Sequence, residues 1–312
     1  MFFVISGFLI TWLMLKESDS TGQINLTHFY ARRALRILPV YAAFLCTLAV
    51  LQGVTQYHQT PAAWVNNFTF TTNFGFGGGK NWTSGHLWSL AVEEQFYILW
   101  PVLFVVFGAA KKQRTSMIML SLPIIVAPVS RVITYLNVSP QFVRPFFSDC
   151  SFFNYFDSLA IGCACAFLLS RNRRQLEVLV ANRLMIYMGL ACSLIILPYV
   201  LRNLLLLGVF TVPLGDTFQG FGMGGLLLLS IILPQSGFFS FLNKPLMCKI
   251  GVLSYSLYIW QQIFTTKPSV YGLGDVWWLS FPFWLIAASG AAIISYHGLE
   301  RPLFRLRTRL RD

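Results

Sequence analysis

About nine stretches of this chain are apolar over roughly the 17–25 residues that a helix needs to cross a bilayer. They lie near 2–15, 37–53, 87–109, 116–136, 152–170, 184–201, 218–234, 250–266 and 277–297. Charges and turn residues fall between them. No soluble domain and no internal repeat is visible, so the spacing predicts an all-α polytopic membrane protein with about nine transmembrane helices. A further stretch at 203–214 is apolar but short, and reads as a re-entrant or interfacial piece. Composition agrees: 56% of the residues are hydrophobic and 11% are charged, against about 25% charged in soluble domains.

The basic residues give this map an independent check. Alternate connections hold 18 Lys and Arg: Lys16, Arg32, Arg33, Arg36, Lys111, Lys112, Arg114, Arg171, Arg173, Arg174, Arg183, Lys244, Lys249, Arg301, Arg305, Arg307, Arg309 and Arg311. The remaining connections hold only Lys80, Arg144, Arg202 and Lys267, which makes 4. By the positive-inside rule the first set is cytoplasmic, as is the C-terminus. The net charge of +12 is mostly this topology signal. Membrane lipids are therefore the expected partner, and no nucleic acid is. The same map puts Met1 outside, and one preceding helix would return the N-terminus to the cytoplasm.

Glu93 and Glu94 stand out because they interrupt an apolar run. A charge at the bilayer centre costs about 2.5–3.5 kcal/mol on insertion scales, so such residues are functional by default. At 100° per residue, His86, Glu93 and Tyr97 share one stripe, with Ser89 nearby, and an imidazole, a carboxylate and a phenol together suit proton transfer. The outward map places both glutamates about 10–12 Å below the outer end of their span. Arg131 and Asp157 fall at similar depth, and Arg131 is a natural partner for one of the carboxylates. The eighth span adds a polar seam of Ser254, Tyr258 and Gln261. These residues suit either helix–helix hydrogen bonds or a polar path.

On the inner side, Arg33 and Arg36 face the same way on a helix, beside Arg32. Topology and anionic headgroups explain them as well as recognition of a phosphate-bearing cofactor does. The six cysteines lack paired spacing and read as small hydrophobes, and Cys163-Ala-Cys165 is too short a signal for a metal site. No Gly-x-Ser-x-Gly elbow, phosphate loop or His-Glu-x-x-His zinc motif occurs. Asn-x-Ser/Thr triplets at Asn25, Asn67, Asn81 and Asn137 carry little weight.

Five segments in order resemble the acyltransferase 3 family of integral-membrane O-acyltransferases. They are Phe2-Phe-Val-Ile-Ser-Gly-Phe-Leu-Ile10, Phe29-Tyr-Ala-Arg-Arg-Ala-Leu-Arg-Ile-Leu-Pro39, His86-Leu-Trp-Ser-Leu-Ala-Val-Glu-Glu-Gln-Phe-Tyr97, Ser254-Tyr-Ser-Leu-Tyr-Ile-Trp260 and Glu300-Arg-Pro302. The resemblance implies transfer of an acyl group, often acetyl, from cytoplasmic acyl-CoA to a hydroxyl of an extracytoplasmic polysaccharide or lipid-linked sugar. Acyl-CoA would be a co-substrate, with no bound cofactor or metal, and the location would be the cytoplasmic (inner) membrane. Arg33 and Arg36 match the family's donor-binding pair, and Glu93 and Glu94 its reactive glutamates.

Two departures accompany the resemblance. The family's first helix carries a basic residue and a histidine proposed as catalytic, and this chain starts inside the motif that follows. It therefore reads as one N-terminally truncated domain over 1–312, ending in a basic cytoplasmic tail at 298–312. Gln261 also stands where the family often has histidine, and an amide is no general base. In the complete enzyme the base would be the first-helix histidine. Within this chain, His86 is the histidine placed outside, and it serves either as base or in positioning. Alternatives that stay open are a sugar-lipid transporter or flippase, and a catalytically inactive remnant. A second membrane-bound O-acyltransferase family, with His297 as its buried histidine, fits the flanking motifs less well.

Overall fold

A computed structural model describes residues 1–78, 81–109, 113–137, 146, 148–181, 183–274, 276 and 280–303. Lys80, Lys111, Lys112, Arg144 and the tail from 304 onward, which carries Arg305, Arg307, Arg309 and Arg311, lie outside the described residues. The described elements are all helical, with no strand among them. In order they are α1 (Phe2–Thr21), α2 (Leu26–Val54), α3 (Pro61–Phe68), α4 (Trp82–Gly85), α5 (Leu87–Val106) and α6 (Gln113–Leu136). There follow α7 (Phe152–Ala181), α8 (Leu184–Asn203), α9 (Gly208–Ile232), α10 (Gly237–Leu242), α11 (Pro245–Thr265) and α12 (Phe283–Ser295), the last continued by a π turn over Tyr296–Glu300.

Among the described residues, five helical runs are both long and apolar enough to cross a membrane: Leu26–Val54, Trp82–Val106, Arg114–Leu136, Phe152–Ala181 and Leu184–Asn203. The sequence count of about nine is thus secured only in part. α1 takes in Lys16, Glu17 and Asp19, and α12 is 13 residues long. The short piece expected at 203–214 does not exist as a separate element. Its second half forms the first turns of α9, which continues through Pro213, and its first half is a tight turn in which Leu205 and Leu207 adopt positive φ.

The helices expose broad apolar faces, while their largely apolar interior also holds charged and polar side chains. On α5 the first turns are buried almost all round, and from Glu93 on the buried side holds Glu93, Phe96, Tyr97, Trp100, Pro101 and Phe104, while Ile98, Leu99, Val102 and Val106 are exposed. On α6, Ile118, Leu122, Ile125 and Val129 form an exposed stripe, whereas Ser130 and Arg131 are buried. The free energy of burying apolar side chains does not set this arrangement; lipid accepts them as readily as a core does.

Two compact units divide the chain. The first comprises Met1–Ile24 with Ala91–Asn243, and the second Asn25–Leu90 with the chain from Lys244 on. In the first unit α1 lies along α7, and the contact depends on two glycines. A Cβ at Gly7 would sit 2.1 Å from the Leu159 carbonyl oxygen, and one at Gly162 would sit 2.1 Å from the Val4 carbonyl oxygen. Neither carries a side chain, so the backbones can approach this closely. α7 also packs on α6 and α9, and α8 packs on α9. α7 breaks at Asn172 (φ −124°), directly after the apolar run ends at Ser170.

In the second unit α11 packs on α12 and α2, and the π turn packs on α2. Local sequence fixes its helix starts. Asn25 Oδ1 accepts from the His28 N–H at 3.0 Å, Thr60 Oγ1 from Ala63 at 3.2 Å and Asn81 Oδ1 from Thr83 at 3.0 Å, each satisfying an orphan N–H of a first turn. Two of the Asn-x-Thr triplets are therefore helix caps. A third, Asn67, is buried and accepts at its side chain from Thr72.

Candidate functional site

Glu93 sits on the buried face of α5 at 3% exposure. Its Oε1 accepts the Ser6 hydroxyl proton from α1. Two turns further, the Trp100 indole N–H donates to Thr11 Oγ1 at 2.9 Å, so α1 and α5 are joined at two levels. Tyr97 is buried on the same face, and Glu94, the next residue round the helix, is half-buried. The stripe expected from sequence spacing is thus turned inward from Glu93 onward.

A second buried cluster in the first unit is centred on Arg131, at 6% exposure, and Asp157, at 0%. Arg131 Nη2 lies 2.7 and 2.8 Å from the two oxygens of Asp157. Its Nε and Nη2 donate to the Asn154 carbonyl at 3.0 and 2.6 Å, and its Nη1 donates to the Pro213 carbonyl and Thr217 Oγ1, both at 2.9 Å. Thr217 in turn donates to Asp157 at 2.5 Å. Arg131 thus pairs with Asp157, with Asp216 at 3.5 Å as a weaker neighbour, while Glu93 is held by Ser6. The five guanidinium donors all point at acceptors, which is how a buried charge is tolerated.

The second unit holds His86, between α4 and the first turn of α5. Its Nε2 lies 3.1 Å from the Ile259 carbonyl oxygen of α11, and its ring packs edge-on against Phe44 and Tyr258. A carbonyl can only accept, so Nε2 carries the proton and Nδ1 carries the lone pair. Nδ1 is buried and has no hydrogen-bond partner among the described residues. The Tyr258 hydroxyl donates to the His86 carbonyl and accepts from Ser89 Oγ at 2.5 Å. Tyr258 and Ser89 therefore shape the backbone that presents the imidazole. Ser254 is exposed and bonds back to Gly251 of its own helix, while Gln261, like Tyr258, is half-buried.

Arg32, Arg33 and Arg36 all lie on α2, which begins earlier than its apolar run suggests. Glu300, at the end of the π turn, is buried, accepts from Ser256 and feels the charge of Arg36. Burial raises its carboxyl above the ordinary range, opposed by the Ser256 hydrogen bond and the Arg36 charge. His297, the buried histidine of the second acyltransferase reading, is exposed, with Nδ1 3.5 Å from Arg301 Nη1. Cys163 and Cys165 are buried, whereas Cys46 and Cys248 are exposed. Among the described residues no group of three or more His, Cys, Asp or Glu could hold a metal ion.

Sequence reasoning missed Ser6, Asn154, Asp216, Thr217 and Ser256. Asp216 had a usable signal, a lone carboxylate inside an apolar stretch. The hydroxyl and amide partners had none, because such side chains are common on helices.

Helices long and apolar enough to span a bilayer, with exposed apolar faces and buried carboxylates and arginine, define a multi-pass membrane protein. The chain belongs to the acyltransferase 3 family, whose acyltransferase domain matches residues 1–297. It is 28% identical to a Staphylococcus aureus (strain COL) protein named "Putative O-acetyltransferase", over 83% of this chain and 44% of that protein. A Bacillus subtilis (strain 168) relative named "Putative peptidoglycan O-acetyltransferase" is 26% identical, over 97% of this chain and 49% of its own. The O-acetyltransferase OatA of S. aureus (strain NCTC 8325 / PS 47) is 27% identical over 97% and 51%. The chain spans about half the length of these curated relatives. No solved structure matches it.

Proposed function

We propose that this chain is the membrane part of an O-acetyltransferase. It would move an acetyl group from cytoplasmic acetyl-CoA to a hydroxyl of an extracytoplasmic polysaccharide or lipid-linked sugar, in the cytoplasmic membrane with its C-terminus inside. The observation that carries this reading is the family match across residues 1–297, and the relative named for peptidoglycan supports a glycan acceptor. The 18-to-4 division of basic residues supports the orientation.

In the reaction the acceptor oxygen attacks the thioester carbonyl carbon. The hydroxyl proton leaves to a base, the C–S bond breaks, and the acetyl group ends on the acceptor while coenzyme A leaves as a thiolate that takes up a proton. Arg33 and Arg36, with Arg32 beside them, bind the donor phosphates as guanidinium forks do. Glu300, opposite in charge to Arg36 and within reach of its field, holds that arginine in place. His86 Nδ1 is the base this chain offers, because its lone pair is buried and uncommitted while Nε2 is anchored on Ile259. Glu93, with Glu94 beside it, carries the negative charge that orients the acceptor, and Ser6 fixes its rotamer.

The test is acetyl transfer from labelled acetyl-CoA in membranes containing the full chain. Arg33→Ala and Glu93→Gln are each expected to lower labelling of the glycan by about a hundredfold or more, the scale of a lost acid–base or positioning group. Labelling that stays at the wild-type level in both variants overturns these roles.

A further inference from the structure

An open cavity of about 570 Å3 lies at one end of the first unit, within the roughly 300–1,000 Å3 of small-molecule sites. None of the roles above uses it. Four helix ends build it: α6 contributes Arg131 and Tyr135, α7 Tyr155, α8 Arg202 and α9 Asp216, and Asp149 joins from the segment before α7.

The groups already engaged decide what the walls can bind. Arg131 has its donors taken by Asp157, Asn154, Thr217 and Pro213. Arg202 is half-exposed and shares Asp216 Oδ1 at 3.0 Å. The wall therefore sets two arginines against two aspartates, and Asp157, bonded to Arg131, adds one more negative charge. Such a site gives a phosphate or another anion no net attraction. What it presents instead is carboxylate acceptors, an exposed guanidinium and two phenol rings, one of them Tyr135 at 71% exposure. Carboxylates accept from hydroxyls, guanidinium donates to ring and hydroxyl oxygens, and an aromatic face covers the C–H face of a pyranose.

The location adds a second constraint. The cavity lies at the N-terminal end of α7, and the opposite end of that helix carries Arg171, Arg173 and Arg174. The positive-inside asymmetry then puts the cavity on the extracytoplasmic side. We infer that it binds an uncharged, hydroxyl-rich sugar ring, and that this ring belongs to the acceptor glycan. The name acceptor rests on the acyl-transfer reading; sugar binding itself does not.

The experiment measures saturation-transfer NMR and titrated affinity on the full chain in nanodiscs. The ligands are three uncharged probes: a β-1,4-linked N-acetylglucosamine tetramer, maltotetraose and a mannose tetramer. At least one is expected to show saturation of its ring protons, and Tyr135→Ala and Asp216→Asn each to weaken its affinity by about tenfold, while Met185→Ala, on an exposed face of α8 away from the cavity lining, leaves it unchanged. Tyr135 is exposed, so its removal leaves packing intact, and an unchanged melting temperature checks this. No binding across the three probes overturns the inference, as does binding that neither cavity variant weakens or that inorganic phosphate displaces. Acetyl transfer is followed in the same variants. Transfer with an acceptor KM unchanged in both cavity variants sinks the cavity assignment and leaves the acyltransferase reading standing. Sugar binding without transfer from acetyl-CoA does the reverse.

Discussion

Arg131 shows how a single residue is both costly and necessary in a membrane helix. Its charge is tolerable because Asp157 and three neutral acceptors satisfy it at a largely buried position. Removing one partner leaves the other charge buried and unpaired. Asp157→Ala is therefore expected to destabilise the protein by about 3–5 kcal/mol, whereas replacing the pair together, as Arg131→Met with Asp157→Leu, recovers most of that loss. Thermal unfolding of detergent-solubilised protein, followed by size-exclusion fluorescence, separates the two outcomes. Equal losses in the single and double variants would mean that packing and not charge is what Asp157 supplies. At this scale the sequence was informative wherever a residue was chemically out of place. Glu93, Asp157 and Arg131 announced themselves as charges in apolar runs. Ser6, Thr217 and the Ile259 carbonyl could not, because an ordinary hydroxyl or backbone group gains meaning only from the partner that folding brings to it.

Helices and their contacts follow from different signals. Helix positions were legible from hydropathy, and one boundary was legible in detail: α7 breaks at Asn172 where its apolar run meets Arg171 and Arg173. The α8–α9 connection was misread because 203–214 is apolar but short when taken alone, yet Gly208 opens α9 and the helix continues through Pro213 into the longer apolar run. Contact pairs were not legible. Nothing in the run Phe2–Ile10 says that Gly7 meets Leu159, although the geometry makes that glycine indispensable. Gly162→Ala would drive a methyl to 2.1 Å from the Val4 carbonyl, so α1 and α7 must separate. The expected cost is about 1–3 kcal/mol or more, as for overpacked cores. Gly189→Ala, with open space around its Cβ position on α8, serves as the control and is expected to be nearly neutral. Similar melting temperatures for the two variants would contradict the close α1–α7 contact.

The two compact units interleave in the chain, the first taking both α1 and the middle of the sequence, and no composition shift marks their boundaries. Hydropathy is blind to this division because every segment meets the same lipid. Charge asymmetry, by contrast, is a property of the whole molecule and was available from the first reading. It makes one prediction on which the sidedness of every proposal above depends. Cysteines placed in the α8–α9 turn, for example Asn203→Cys in a background with the exposed Cys46 and Cys248 replaced, should react with a membrane-impermeant maleimide in intact cells. Cysteines at the α7 kink, for example Asn172→Cys, should react only after permeabilisation, because the arginines around that position are held on the cytoplasmic side by about 2.3 kcal/mol per charge for each 100 mV of membrane potential. If Asn172→Cys labels from outside and Asn203→Cys does not, the chain runs the other way. The cavity would then open to the cytoplasm, and the arginines of α2 would meet the glycan side, where no acetyl-CoA is available to them. Matching the observed sidedness to the 18-to-4 charge division thus decides in one experiment whether the donor and acceptor assignments can both be right.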